Sequence, residues 1–243
     1  TPVEEGTPGN ILIIAADEYS EAIQDYVNWK HEKGIQTELV LMSEIGTTAT
    51  QVQTFIQNYY DTEELSYILL VGDADDVPTM SVSGQDSDNG YVYLAGDDGY
   101  ADVFIGRFSG NSVADIATQV LRTIYYEKEM STSDIWLASA FGSASNEGEG
   151  QGHDGGESDV THLNNIRTDL ETYGYTVTHV NQDGGSNALI SAALNSGAGI
   201  INYIGHGDVT LWGNTSYSNT EVNALVNDNK LPFAWSVACV NGN

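Results

Sequence analysis

Two apolar segments of this chain end in residues that could do chemistry together. Ile200-Ile201-Asn202-Tyr203-Ile204 runs into Gly205-His206-Gly207, and Leu231-Pro232-Phe233-Ala234-Trp235-Ser236-Val237-Ala238 runs into Cys239. A thiolate is a polarisable nucleophile toward a carbonyl carbon, and an imidazole can manage the proton that such an attack involves. In an open α/β sheet, ligands bind beyond the carboxyl ends of the strands, so a His and a Cys at two such ends could face one crevice. The glycines flanking His206 allow close backbone approach, and the N–H groups of Gly207 and Cys239 are candidates for an oxyanion hole. Each residue also has a plainer explanation. Read alone, Cys239 fits a small buried hydrophobe and His206 a turn residue between glycines.

The elements that would position this pair follow from hydrophobic patterning. Ile11–Ala16, Tyr67–Val71, Asp102–Phe108, Ile135–Ala140, Tyr175–Val180, Gly199–Ile204 and Leu231–Ala238 read as strands. Several are continuously apolar, as parallel strands covered on both faces should be. Between them Tyr19–Glu32, Thr50–Tyr60, Ser112–Glu129, Asp159–Tyr173, Asn187–Asn195 and Thr220–Asn227 read as helices. Val113, Ile116, Val120 and Ile124 keep helical spacing, with Asn111 placed as a cap. Strands alternating with helices imply βαβ units and open, mostly parallel sheets flanked by helices, an α/β fold. The pattern restarts near Ser131–Asp134, which divides the chain into an N-terminal subdomain, 1–132, and a second one, 133–243. Pro78–Asp98 and the glycine-rich Gly142–Ser158 read as long loops, which in packed domains are usually functional or tied by metal.

Composition narrows the partners. Seven Lys+Arg stand against 35 Asp+Glu, a formal net charge of -28. Nucleic acid and anionic membrane both need a basic footprint, so the charge argues against both as partners. A solvated acidic surface suits a salty or extracellular setting, and it also attracts cationic substrates and calcium. The single cysteine rules out an internal disulfide. No apolar run reaches the ~20 residues of a membrane span, and nothing at Thr1 has the form of a signal peptide, as expected of a mature or trimmed chain.

With these residues in view, the chain resembles the gingipain family of caspase-like cysteine peptidases. The resemblance is carried by Asn202-Tyr203-Ile204-Gly205-His206-Gly207, Trp212-Gly213, Leu231-Pro232-Phe233 and Val237-Ala238-Cys239-Val240-Asn241-Gly242. Leu69-Leu70-Val71-Gly72-Asp73, Val103-Phe104-Ile105-Gly106-Arg107-Phe108 and Gly156-Glu157-Ser158-Asp159 extend it, and Thr1–Glu5 looks like the start of a mature enzyme after propeptide removal. The arginine-specific branch is the nearest. The resemblance implies a caspase-like fold and a secreted or cell-surface, zymogen-derived endopeptidase acting on proteins or peptides after arginine. Cys239 would form the acyl-enzyme, His206 would protonate the leaving amine, and Glu147 would orient the histidine. Asp159 matches the carboxylate at the base of the primary pocket, where a guanidinium can be held bidentately. Read without the family, Asp159 serves equally as a helix cap and Glu147 as one more exposed acid.

The same resemblance implies calcium, held by Asp73, Asp98 and Asp102 with carbonyls of Ala95 and Tyr100. The family has a glutamate where this chain has Asp102, which shortens one ligand. Glu157 and His162 match positions of a further metal near the cleft, although imidazole is an unusual calcium ligand. Acidic turn residues without metal are the alternative. Asp208 and Val209 depart from the family's serine-glutamate. His31, His153 and His179 carry no pattern and read as surface or structural. The chain stops at Asn243, just past Cys239, so a companion chain or fragment is expected to complete the sheet. Two rival functions stand beside the arginine-specific enzyme: a catalytically silent calcium- and peptide-binding module, and a lysine-specific peptidase. The scarcity of basic residues, with arginine only at 107, 122 and 167, would spare an arginine-specific enzyme from itself.

Overall fold

Parallel strands that are apolar on both faces need a layer on each side, and that requirement organises both halves of the chain. The computed structural model describes residues 9–150 and 156–241; the Thr1–Glu5 stretch, His153 and Gly242 noted above lie outside them. The chain splits into two units, Thr1–Glu127 and Lys128–Asn243. The sequence expectation put the division at 132/133.

In the first unit, β1 (Asn10–Ala15), α1 (Gln24–Glu32), β2 (Thr37–Leu41), α2 (Met42–Ile45), α3 (Ala49–Thr62) and β3 (Leu65–Val71) follow one another. A small hairpin of β4 (Met80–Val82) and β5 (Gln85–Ser87), then β6 (Phe104–Phe108) and α4 (Val113–Lys128), complete it. The main sheet has the order β2-β1-β3-β6, and every pair is parallel. Alternation along β1 sorts its side chains. Ile11, Ile13 and Ala15 pack with Tyr26 and Val27 of α1 and Ile116 and Val120 of α4. Leu12 and Ile14 pack with Val52 and Ile56 of α3 and with Val77, Tyr91 and Val92 of the connection to β6. Helix α3 starts in a capping box between Thr48 and Gln51. At α4, Ser112 Oγ accepts the Asp115 N–H at 3.2 Å, so the capping oxygen comes from Ser112 and not from the expected Asn111. The Pro78–Asp98 loop is more structured than its sequence suggests, since it holds the β4–β5 hairpin. Arg107 on β6 donates to both oxygens of Asp88 at 2.9 and 2.7 Å, and to the carbonyls of Gly72 and Asp73.

The second unit contains β7 (Ser139–Ala144), α5 (Asp159–Thr172), β8 (Thr176–His179), α6 (Asn187–Ser196) and β9 (Ile200–Ile204). Three short strands, β10 (Gly207–Asp208), β11 (Leu211–Trp212) and β12 (Tyr217–Ser218), form an antiparallel sheet after β9. Then come α7 (Asn219–Asn223) and β13 (Phe233–Val237). The main sheet has the order β13-β9-β7-β8, again all parallel. Phe141 and Ile201 pack with Ile190 and Leu194 of α6, while Ala144 and Ile204 pack with Leu163 of α5.

One expected strand starts late. Ile135–Ala138 is a single 3-10 turn with Trp136 buried, and β7 begins only at Ser139. Asp134 holds the turn: its carboxylate accepts the Ser131 N–H and its carbonyl accepts the Leu137 N–H. The strand itself is built from small residues because its neighbours press close. A Cβ on Gly142 would lie 2.7 Å from His179 and 3.0 Å from Leu163. All three arginines sit inside regular elements: Arg107 in β6, Arg122 in α4 and Arg167 in α5.

Candidate active site

Strands β9 and β13 are hydrogen-bonded in parallel with Ile204 opposite Val237. His206 and Cys239 each stand two residues beyond that pair, so the two chemistry-bearing residues leave neighbouring strands at the same level. The Gly205 N–H donates to the Val237 carbonyl at 3.2 Å and keeps the chains together past the ladder. Gly207 lies against the nucleophile candidate's backbone: a Cβ there would be 2.5 Å from the Cys239 carbonyl oxygen. The two expected oxyanion-hole residues are therefore neighbours. Cys239 is exposed, so it is not a buried small hydrophobe. Its sulfur has no hydrogen-bond partner among the described residues.

The imidazole is held at its far nitrogen. Glu147 Oε1 lies 2.8 Å from His206 Nε2, which leaves Nδ1 for proton traffic. The His206 backbone is held as firmly. Its carbonyl accepts the Gly213 N–H at 2.7 Å and lies 2.5 Å from the Tyr203 hydroxyl. Tyr203 is buried, which pushes its phenol above the ordinary value, and its ring stacks on Trp212 at 4.5 Å and 8°. Trp212 Nε1–H donates to Ser236 Oγ, and Ser236 Oγ donates to Asn241 Oδ1. Asn241 Nδ2 then donates to the Asp208 carbonyl at 2.9 Å, so side chains from both loops brace each other.

Asp159 occupies the first turn of α5 and is 3% exposed. The helix cap belongs to Ser158, whose hydroxyl accepts the Thr161 N–H at 3.2 Å. Asp159 is therefore not the helix cap that its position in the sequence also allowed. Asp159 Oδ2 instead accepts a hydrogen bond from Ser145 Oγ at 2.5 Å. Glu157 and His162 meet at 2.6 Å, and Asn165 donates to the other Glu157 oxygen at 2.9 Å.

The acids of the expected calcium set each accept local hydrogen bonds. Among the described residues no three His, Cys, Asp or Glu side chains are grouped so as to hold a metal ion. Asp102 Oδ2 accepts the N–H groups of Leu94 and Ala95 at 2.8 and 2.9 Å, and Asp98 Oδ1 accepts that of Tyr100 at 2.9 Å. Asp73 Oδ1 accepts the Ala74 N–H and the Ser109 hydroxyl.

Three residues of the site had no signal of their own in the sequence: Ser145, Tyr203 as a hydroxyl donor, and Asn214. Asn214 is buried, with Nδ2 donating to the Ile204 carbonyl at 3.1 Å and Oδ1 2.9 Å from the Tyr203 hydroxyl. Gly205 was the available clue. It has φ +153°, and a Cβ there would sit 2.2 Å from Asn214 Oδ1 and 3.0 Å from Ser145 Cβ. A glycine in such a position signals close approach by something, although not by what.

Two parallel α/β sheets, with a histidine–carboxylate pair and an exposed cysteine at adjacent strand ends, define a cysteine-peptidase-like arrangement, and this chain belongs to peptidase family C25, whose pattern matches residues 4–243. Gingipain R2 of Porphyromonas gingivalis is 43% identical over 247 residues, spanning 100% of this chain and 33% of that protein. The crystal structure of the Arg-specific cysteine proteinase gingipain R superposes with a TM-score of 0.94 at 42% identity, covering 100% of this chain and 57% of that one. The complex of Porphyromonas gingivalis RgpB pro- and mature domains matches with a TM-score of 0.92 at 42% identity, covering 96% of this chain and 56% of that one. The chain thus spans less than two thirds of these relatives.

Proposed function

We propose that this chain carries the reacting groups of a cysteine endopeptidase that cleaves peptide bonds after arginine. The observation that carries the reading is the shared level of His206 and Cys239 beyond the Ile204–Val237 pair, with Glu147 on the outer imidazole nitrogen. In the proposed reaction the Cys239 thiolate attacks the scissile carbonyl carbon and the carbonyl π electrons move onto oxygen. The N–H groups of Gly207 and Cys239 receive that oxyanion. As the C–N bond breaks, His206 Nδ1 gives its proton to the departing amine, and a thioester remains on Cys239. Water then attacks the thioester carbonyl, His206 takes its proton, and the thiolate leaves. Glu147 stabilises the imidazolium and holds the ring in one orientation. Asp159, an acid at the head of α5, is the proposed partner of the arginine guanidinium. No step is routed through calcium.

The Arg-specific relatives support the arginine preference, and the solved complex of pro- and mature domains supports a propeptide partner. A secreted or cell-surface setting is in keeping with the net charge of -28, and no helix among the described residues is long and apolar enough to cross a membrane. A further polypeptide segment is proposed over β13, where Phe233, Trp235 and Val237 are all more than half exposed.

One observation favours a silent peptide-binding module instead: the Cys239 sulfur makes no hydrogen bond to His206 among the described residues. Turnover separates the two. Cleavage of an arginyl amide that exceeds cleavage of its lysyl counterpart, and that stops on alkylation of Cys239, sustains the peptidase. Binding of the same compound without turnover establishes the module.

A further inference from the structure

Between the proposed pocket acid and the proposed catalytic acid lies one buried hydroxyl. Ser145 is 1% exposed and sits directly after β7. Its Oγ–H donates to Asp159 Oδ2 at 2.5 Å, and the same oxygen accepts the Glu147 N–H at 3.0 Å. The Asp159 N–H in turn donates to the Glu147 carbonyl at 3.2 Å, closing a small ring of bonds. The Ser145 N–H donates to the Ile204 carbonyl at 2.9 Å, two residues before His206. A serine hydroxyl has one proton to give and lone pairs to receive. Here the carboxylate accepts the hydroxyl's hydrogen bond and a backbone N–H donates to the hydroxyl oxygen, so the serine is matched both as donor and as acceptor. Alanine at this position would leave an acceptor and a donor without partners in a place closed to water.

We propose that Ser145 is a positioning residue that couples the arginine-recognising acid to the catalytic acid. Resting on the peptidase reading above, it assigns one side chain control over both the aim of Asp159 and the seat of Glu147 against His206. With Oδ2 held by Ser145, the plane of the Asp159 carboxyl is fixed relative to any cation it meets. The consequence is that P1 recognition and proton handling share a joint, so a disturbance of Ser145 enters KM and kcat together.

In the intact protein, Ser145→Ala is expected to raise KM for an arginyl amide about tenfold and lower kcat about tenfold, as loss of a buried charge-assisted hydrogen bond would. Double-mutant cycles provide a readout that a merely structural role would not move. With Asp159→Ala already present, Ser145→Ala adds no further rise in KM; with Glu147→Ala present, it adds no further loss of kcat. Effects that multiply independently in both cycles overturn the proposal. Should Ser145→Ala fail to fold, Ser145→Thr and Ser145→Val offer the same shape with and without the hydroxyl. Thr then keeps most of the activity that Val loses, and equal losses again overturn the proposal. If the parent protein gives no turnover and alkylation of Cys239 is indifferent to His206→Ala, the peptidase reading itself fails and this inference goes with it.

Discussion

The two units use one plan, four parallel strands between helices, for different ends. In the first, β1 and β3 are lined by aliphatic residues on both faces, and the buried polar residues are Lys30, Thr37 and Ser66. In the second, the central strand is Ser-Ala-Phe-Gly-Ser-Ala, and Ser143, Ser145, Asp159 and Asn214 are buried around its carboxyl end. The edges differ too. β6 carries Arg107, whose charge is met by Asp88, whereas β13 presents five exposed residues with no charge among them. Aliphatic volume stabilises the first sheet, while the second gives up part of that volume to hold polar groups in fixed relation. Buried polar groups are tolerated when each finds a partner, and around Ser145 each does.

The contrast can be broken or sharpened by experiment. The largest effect is expected from Cys239→Ala, which should lower turnover of an arginyl amide by about 10⁴-fold or more, read from initial rates, because no other group supplies a nucleophile. Asp159→Ala should lower kcat/KM for arginyl substrates by about 10²-fold while leaving a substrate with an uncharged P1 residue nearly unaffected. An equal loss on both substrates would place Asp159 in scaffold and not in recognition. Ile13→Ala should lower the stability of the first unit by about 2–5 kcal/mol in urea unfolding, with Cys239 alkylation in the folded protein unchanged.

The smallest effects are in pH dependence, and the two units should differ in where it begins. Burial, and secondarily Arg167, hold His179 below its ordinary value of 6.5. The unfolded chain binds that proton first, so the second unit has its full stability above pH 6.5 and loses it as pH falls toward the folded value. For Glu127, burial raises the carboxyl, but hydrogen bonds from Lys30, Lys33 and Trp29 outweigh it and hold the group below 4.5. The first unit therefore keeps this contribution above pH 4.5 and loses it as pH falls through the lowered folded value. Urea midpoints measured across that range should show His179→Gln flattening the upper part of the acid limb and Glu127→Gln the lower part. A single common limb, insensitive to either change, would remove the distinction.

How much of this was legible in the sequence depended on the kind of signal. Long apolar strands such as Leu65–Val71 and periodic helices such as Ala49–Thr62 announce themselves, because burial on two faces or one stripe leaves a pattern. β2 was missed because an edge strand of five residues, two of them polar, has little pattern to offer. β7 was displaced because its small residues answer to Leu163 and His179 pressing from outside, a constraint set by distant parts of the chain. The short strands β10 to β12 depend on a turn geometry that residue type alone does not encode. At the site, His206 and Cys239 stood out by position at strand ends, and Glu147 and Asp159 came from family resemblance. Ser145 was invisible, since one serine among glycines and serines acquires its meaning only when two acids close around it.

The placement of the arginines has a consequence for how long such a molecule lasts in its own company. A peptide bond enters a protease cleft in extended form, so an arginine locked in a strand or helix must first be released by local unfolding. Arg107, tied to Asp88 and two carbonyls, and Arg122 and Arg167, wound into helices, are all so locked. For an enzyme of the proposed specificity, encounters between copies would then leave these three bonds uncut for as long as the units that hold them stayed folded, and loss at these positions would be set by unfolding and not by collision.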